Sequence, residues 1–141
     1  MSNCEAFRGA ADCAEHVLPF FEEAYPKDDR PRKAIETCRT WVRQGLFKIS
    51  EIRVASLAAH AAAREAKEKN NAACFAARDA GQGVVAAHVS QHAFGAAYYA
   101  LKAVAASDAV NTEAKIAEES NCITQQVPIN LRQEFLARLT I

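Results

Sequence analysis

The chain predicts an all-α fold, a compact single-domain bundle of about six or seven helices packed closely through alanine. Three observations point there. Alanine fills 21 of the 52 positions from Ala55 to Ala106, and it joins the best helix propensity to a side chain small enough for helix axes to approach closely. Apolar residues recur at three- and four-residue spacings, and no run of alternating β-branched residues appears. Aromatic residues make up 8% of a chain that is 50% hydrophobic, so the core is built from many small contacts. A chain of 141 residues suits one domain, and a domain of that size buries roughly 68–70% of its unfolded surface.

The first helix is expected from about Glu5 to Ala24, because Phe7, Ala10, Ala11, Ala14, Val17, Leu18 and Phe21 form one apolar face. Pro19 predicts a kink or break in its last turn. The segment Tyr25-Pro26-Lys27-Asp28-Asp29-Arg30-Pro31 then ends one element and begins the next. Asp28 or Asp29 can accept the free amides of the following helix, and Pro31 fits a first turn, where a missing N–H costs nothing. That second helix runs to Arg43 and stops at Gly45, a good C-terminal cap. Its apolar positions are Ala34, Ile35, Cys38, Trp41 and Val42, and core packing is the default role of Trp41.

A third helix begins near Ser50, whose hydroxyl can cap it, and continues to about Lys69 before Asn70-Asn71. The fourth spans about Ala72 to His88, and a fifth, capped by Ser90, ends near Ala106. One continuous helix over both would be long for a small domain, so a turn is expected at Val89-Ser90. Gly81 and Gly83 inside the fourth helix each cost about 1 kcal/mol relative to alanine, which close approach by a neighbouring helix would offset. Ser107 to Asn111 reads as a linker, Thr112 to Cys122 as a short helix and Leu131 to Leu139 as a last one, with Leu131, Phe135, Leu136 and Leu139 as its buried stripe.

Seventeen basic and seventeen acidic residues cancel to a formal charge of zero, which removes the footprint of a nucleic-acid binder. No stretch reaches the roughly 18–20 apolar residues of a membrane span. Met1 to Arg8 carries Glu5 and lacks the apolar region of a secretory signal. The expected location is the cytoplasm, with no nucleic acid and no membrane as partner. Cys4, Cys13, Cys38, Cys74 and Cys122 are odd in number and widely spaced, so they read as small buried thiols, with Cys4 and Cys13 the most exposed.

No constellation of residues names a reaction. His88 and His92 stand four apart, but Val89 replaces the glutamate of H-E-x-x-H, and a turn at Ser90 would separate the rings. No glutamate precedes a histidine by three residues, which excludes the di-iron carboxylate pattern. Cys74 lacks an identifiable base and orienting group, and Gly81-Gln82-Gly83 leads into Val84 and Val85 instead of a phosphate-binding lysine. No enzymatic activity, metal or cofactor is expected. Cys74, Arg78, Gly81, Val85 and His88 do fall along one stripe, and His60 and Arg64 share a face of the third helix. Lone basic residues among alanines must reach solvent or find acceptors, such as Asp79, Glu36 or helix-end carbonyls; otherwise they line a polar pocket.

Two stretches carry a family resemblance. One is Cys13-Ala-Glu-His-Val-Leu-Pro-Phe-Phe-Glu-Glu followed by Tyr25-Pro-Lys-Asp-Asp-Arg-Pro-Arg-Lys-Ala-Ile-Glu36. The other joins Ala58-Ala-His60-Ala-Ala-Ala-Arg64-Glu-Ala to Ala86-Ala-His88-Val-Ser-Gln-His92-Ala-Phe-Gly-Ala-Ala-Tyr98-Tyr-Ala-Leu-Lys102-Ala. Over Cys13 to Ala106 the chain resembles the fifth-type immunity-like all-α domain of bacterial and archaeal polymorphic toxin systems. The resemblance implies a cytoplasmic protein that neutralises a cognate toxin by binding it.

Interfaces draw most of their energy from a few aromatic or arginine anchors. The candidates are Tyr25, Arg30, Arg32, Tyr98 and Tyr99, with Asp29 in the same turn. The alternative is a small-molecule or metal sensor whose pocket gathers His60, Arg64, Arg78, His88 and His92. A third reading is a structural protein that forms a homodimer through its alanine faces.

Overall fold

The computed structural model describes residues 3–45, 48–86, 92–107 and 112–125, together with 132, 133 and 137. Six helices follow one another: α1 (Asn3–Ala24), α2 (Arg30–Gln44), α3 (Ile49–Ala66), α4 (Asn71–Val85), α5 (His92–Ala106) and α6 (Thr112–Gln125). No strand occurs among the described residues, so the fold is all-α. The last helix expected at Leu131 to Leu139 and the turn expected at Val89-Ser90 lie outside the described residues.

Helix α4 packs against α1, α2, α3 and α5, while α6 lies against α5. Alanine makes this possible, since Ala73, Ala76, Ala77 and Ala80 are all fully buried and none holds a neighbour at arm's length. From α1 come Ala10, Ala14, Val17, Leu18 and Phe21, and from α2 Ala34, Ile35 and Cys38. Trp41 packs against this core while half-buried. Helices α4 and α5 are antiparallel neighbours: Phe75 meets Tyr99, and seven residues further along α4 Gln82 lies over Gly95.

The α4 glycines mark the closest approaches. A Cβ on Gly81 would lie 2.7 Å from His60 Nε2, and one on Gly83 would lie 3.3 Å from the Ala10 carbonyl oxygen. The neighbours also bond there: Ser56 Oγ donates to the Gly81 carbonyl at 3.0 Å and Cys38 Sγ to that of Gly83 at 3.6 Å. The expected close approach is therefore present at both residues.

Several local expectations are corrected. Pro19 does not break α1, which continues to the expected end at Ala24; the proline is on the exposed side, where the carbonyl deprived of its donor can turn to water. Asp29 occupies the N-cap position of α2 without a side-chain cap bond. Asp28 supplies the acceptor instead, its Oδ1 taking the Arg30 amide at 3.2 Å in an Asx-type turn. Ser50 does not cap α3, which starts at Ile49 behind Lys48. The helix ends at Ala66, short of Lys69, and Asn70 then caps α4 by accepting the Ala73 amide at 2.9 Å. Gly45 closes α2 with φ of 65°, as a left-handed C-terminal cap requires.

The thiols also differ from expectation. Among the described thiols Cys122 is the exposed one, and the Cys4 side chain lies outside the described residues, whereas Cys13 is buried, like Cys38 and Cys74. Its position on the inward face of α1, beside Ala10, Ala14 and Val17, outweighs its nearness to the start of the chain.

Candidate partner-binding surface

The turn before α2 is a set of charge clamps. Arg30 Nη2 lies 2.6 Å from Asp28 Oδ2 and 2.7 Å from Glu65 Oε2, tying the turn to the end of α3. Hydrogen bonding from Arg30 holds the Asp28 carboxyl below its ordinary range. Arg32 reaches back to α1, with Nη2 at 2.6 Å from Glu22 Oε1 and Nη1 at 3.2 Å from Glu15 Oε1. Two turns on, Arg39 pairs with Asp12 at 3.0 Å and with Glu15. Lys33 meets Asp29 at 3.1 Å, and Tyr25 packs on Phe21 with ring centroids 5.2 Å apart. Arg30 and Arg32 are therefore already committed to carboxylates within the protein.

Three members of the predicted polar pocket have described side chains. His60 lies against Gly81 at the α3–α4 crossing, Arg64 is exposed at the end of α3, and Arg78 faces α5 with its guanidinium 6.0 Å from the Tyr99 ring centre. Arg78 also does not bond Asp79, whose two oxygens are buried without a hydrogen-bond partner. His88 lies outside the described residues, and His92 is placed only as the first residue of α5.

What the structure does bring together on the α4–α5 seam is a cation–aromatic cluster. Phe75 and Tyr99 stack with centroids 6.2 Å apart, and Tyr98 meets Tyr99 edge-on at 5.5 Å. Lys102 Nζ lies 5.7 Å from the Phe75 ring centre and 5.4 Å from that of Tyr98. All five side chains of this cluster are half-buried. Sequence reasoning singled out Arg78, Tyr98 and Tyr99 but missed Phe75 and the role of Lys102. The available signal was spacing: Phe75 and Arg78 stand three apart on α4, as do Tyr99 and Lys102 on α5, and side chains three apart share a helix face.

A second cluster lies at the junction of α1, α4 and α6. Asp79 is completely buried, and burial with repulsion from Glu119 pushes its carboxyl well above the ordinary range. Buried Glu119 is held by His16 Nδ1 at 2.6 Å. Desolvation, followed by the nearby Asp79 and Glu119 carboxyls, likewise raises the Cys13 thiol. Cys13, His16, Glu119 and Cys122 line a surface groove of about 440 Å³. Among the described residues no group of three or more His, Cys, Asp or Glu is arranged to hold a metal. Apolar exposure is greatest along α3, at Val54 and Leu57.

Fold and surface together define an all-α protein held by alanine-to-alanine packing and charge clamps, with its cation–aromatic chemistry displayed on a helix seam. The chain belongs to the Imm-5 like putative immunity protein family, whose family model matches residues 6–126. The match spans almost all of α1 and each later helix through α6. No curated protein and no solved structure matches the chain. None of the described helices is long and apolar enough to cross a membrane.

Proposed function

We propose that this protein acts as an immunity protein in the cytoplasm, neutralising a cognate toxin by stoichiometric binding and without turnover of its own. The family match over residues 6–126 is the observation that carries this reading.

The test is titration of the toxin encoded beside this gene. Protection of growth on co-expression and a one-to-one complex on gel filtration are expected, with toxin activity falling in proportion to added protein. Silencing of the toxin by a tenth of an equivalent would show turnover, and unprotected growth would remove the immunity role.

A further inference from the structure

We propose that the α4–α5 seam is the docking face and that it receives a carboxylate-rich surface of a partner protein. This rests on the toxin-binding reading above and assigns it a place and a chemistry. Asp79 is the sole acidic residue within the sequences of α4 and α5, and it is completely buried. The seam thus displays Arg78 and Lys102 with no negative charge on either helix to balance them, in a chain whose formal charge is zero.

Among the described residues neither cation has an ion-pair partner; each lies over aromatic rings. The contrast with Arg30, Arg32 and Arg39, all paired with carboxylates, sets the seam apart from the α1–α2 side. Stacking on Tyr99, Phe75 and Tyr98 restricts the two cations and reduces the ordering cost of a later contact.

The same stacking decides the class of partner. Nucleobases would need open ring faces, and here the cations lie over those faces. The half-buried polar groups of the seam are the N–H donors of Arg78 and Lys102, together with two phenols that make no hydrogen bond among the described residues. Donors without acceptors fit carboxylates, and Tyr and Arg are the residue types that anchor protein interfaces. Two cations are also few for a binder that draws its affinity from many phosphates.

The test uses the full chain, the R78E/K102E variant and the conservative R78K/K102R variant, each checked for unchanged helicity and melting temperature. A labelled decaglutamate peptide is titrated at low salt, with single-stranded decathymidylate as competitor. Decaglutamate should bind the parent chain and the conservative variant, weaken at least tenfold on charge reversal, and resist displacement by decathymidylate. Equal binding to both parent and reversed chains, or to neither, overturns the assignment, as does preference for the oligonucleotide. If charge reversal unfolds the chain, Y99A combined with K102A replaces it under the same criteria.

Co-expression with the toxin separates this proposal from the one beneath it. R78E/K102E should lose protection that the parent chain gives. A variant that still protects sinks the seam and leaves immunity intact. A parent chain that fails to protect sinks immunity, while the peptide titration still decides whether the seam binds carboxylates.

Discussion

Asp79 shows how far a single side chain can depart from its position in sequence. Next to Arg78 it reads as half of a neighbouring ion pair, yet the arginine turns to Tyr99 and the carboxyl is completely buried, near enough to Glu119 to be repelled by it. Adjacent helix residues point about 100° apart, so nearness in sequence is not nearness in space. The folded state raises the Asp79 pKa above its ordinary value of 3.8, so between the unfolded and folded values it retains a proton that the unfolded chain releases. This contribution to stability therefore falls as pH rises through that window. Asp79→Asn should match the parent chain near pH 4 and become progressively more stable relative to it on the alkaline side. The gain should grow steadily as pH rises through that window. Parallel stability curves for the two proteins in urea would contradict this.

Gly81 is the opposite case, because its reason was legible. A glycine inside a helix sacrifices stability unless something needs the space, and the His60 ring occupies it. What could not be read was which helix supplied the neighbour. Gly81→Ala should lose about 1–3 kcal/mol through overpacking despite the better helix propensity. In a His60→Ala background the same change should be neutral or stabilising, by up to about 1 kcal/mol. A thermal double-mutant cycle without coupling would show that His60 is not the obstacle.

At the scale of the element, helix type and order were written in the apolar periodicity, and errors gathered at the ends. The α2 start illustrates why. Asp28 and Asp29 are both capable acceptors, and only the backbone path assigns the Arg30 amide to Asp28 while Asp29 goes to Lys33. Asp28→Ala should cost about 0.5–2 kcal/mol, in the range of a lost cap. Asp29→Ala should cost about 0.5 kcal/mol or less, as for an exposed pair one turn apart. Because Asp28 is held acidic by Arg30, its contribution is present above its ordinary value of 3.8 and disappears as pH falls through the lower folded value. Chemical denaturation of both variants at pH 7 and pH 3 would check the order and the sign. Ser50 and Lys69 were misplaced for a related reason: a side chain that can cap does so only if the chain enters the helix there.

For the molecule as a whole, alanine content announced close packing but not which helix would be central. α4 earns that place by burying ten residues, whereas the described side chains of α6 include two that are buried, Glu119 and Ile123. Burial of this kind sets local opening energies. Amide hydrogen exchange should therefore release α6 by sub-global opening while α4 exchanges only on global unfolding, and equal protection in the two would count against this account. The candidate surface was half legible: Arg78 and Tyr99 could be picked out from sequence, but their meeting depends on α4 and α5 running antiparallel.

The central position of α4 also orders the birth of the molecule. A ribosome releases α1, α2 and α3 before it has made residues 71–85, so the inward alanine faces of the nascent chain remain wet until the hub emerges. Helices α1 and α2, and α2 and α3, can meet before that, but none of their packing on α4 can form. The docking seam, one side of which is the hub itself, cannot exist before that moment.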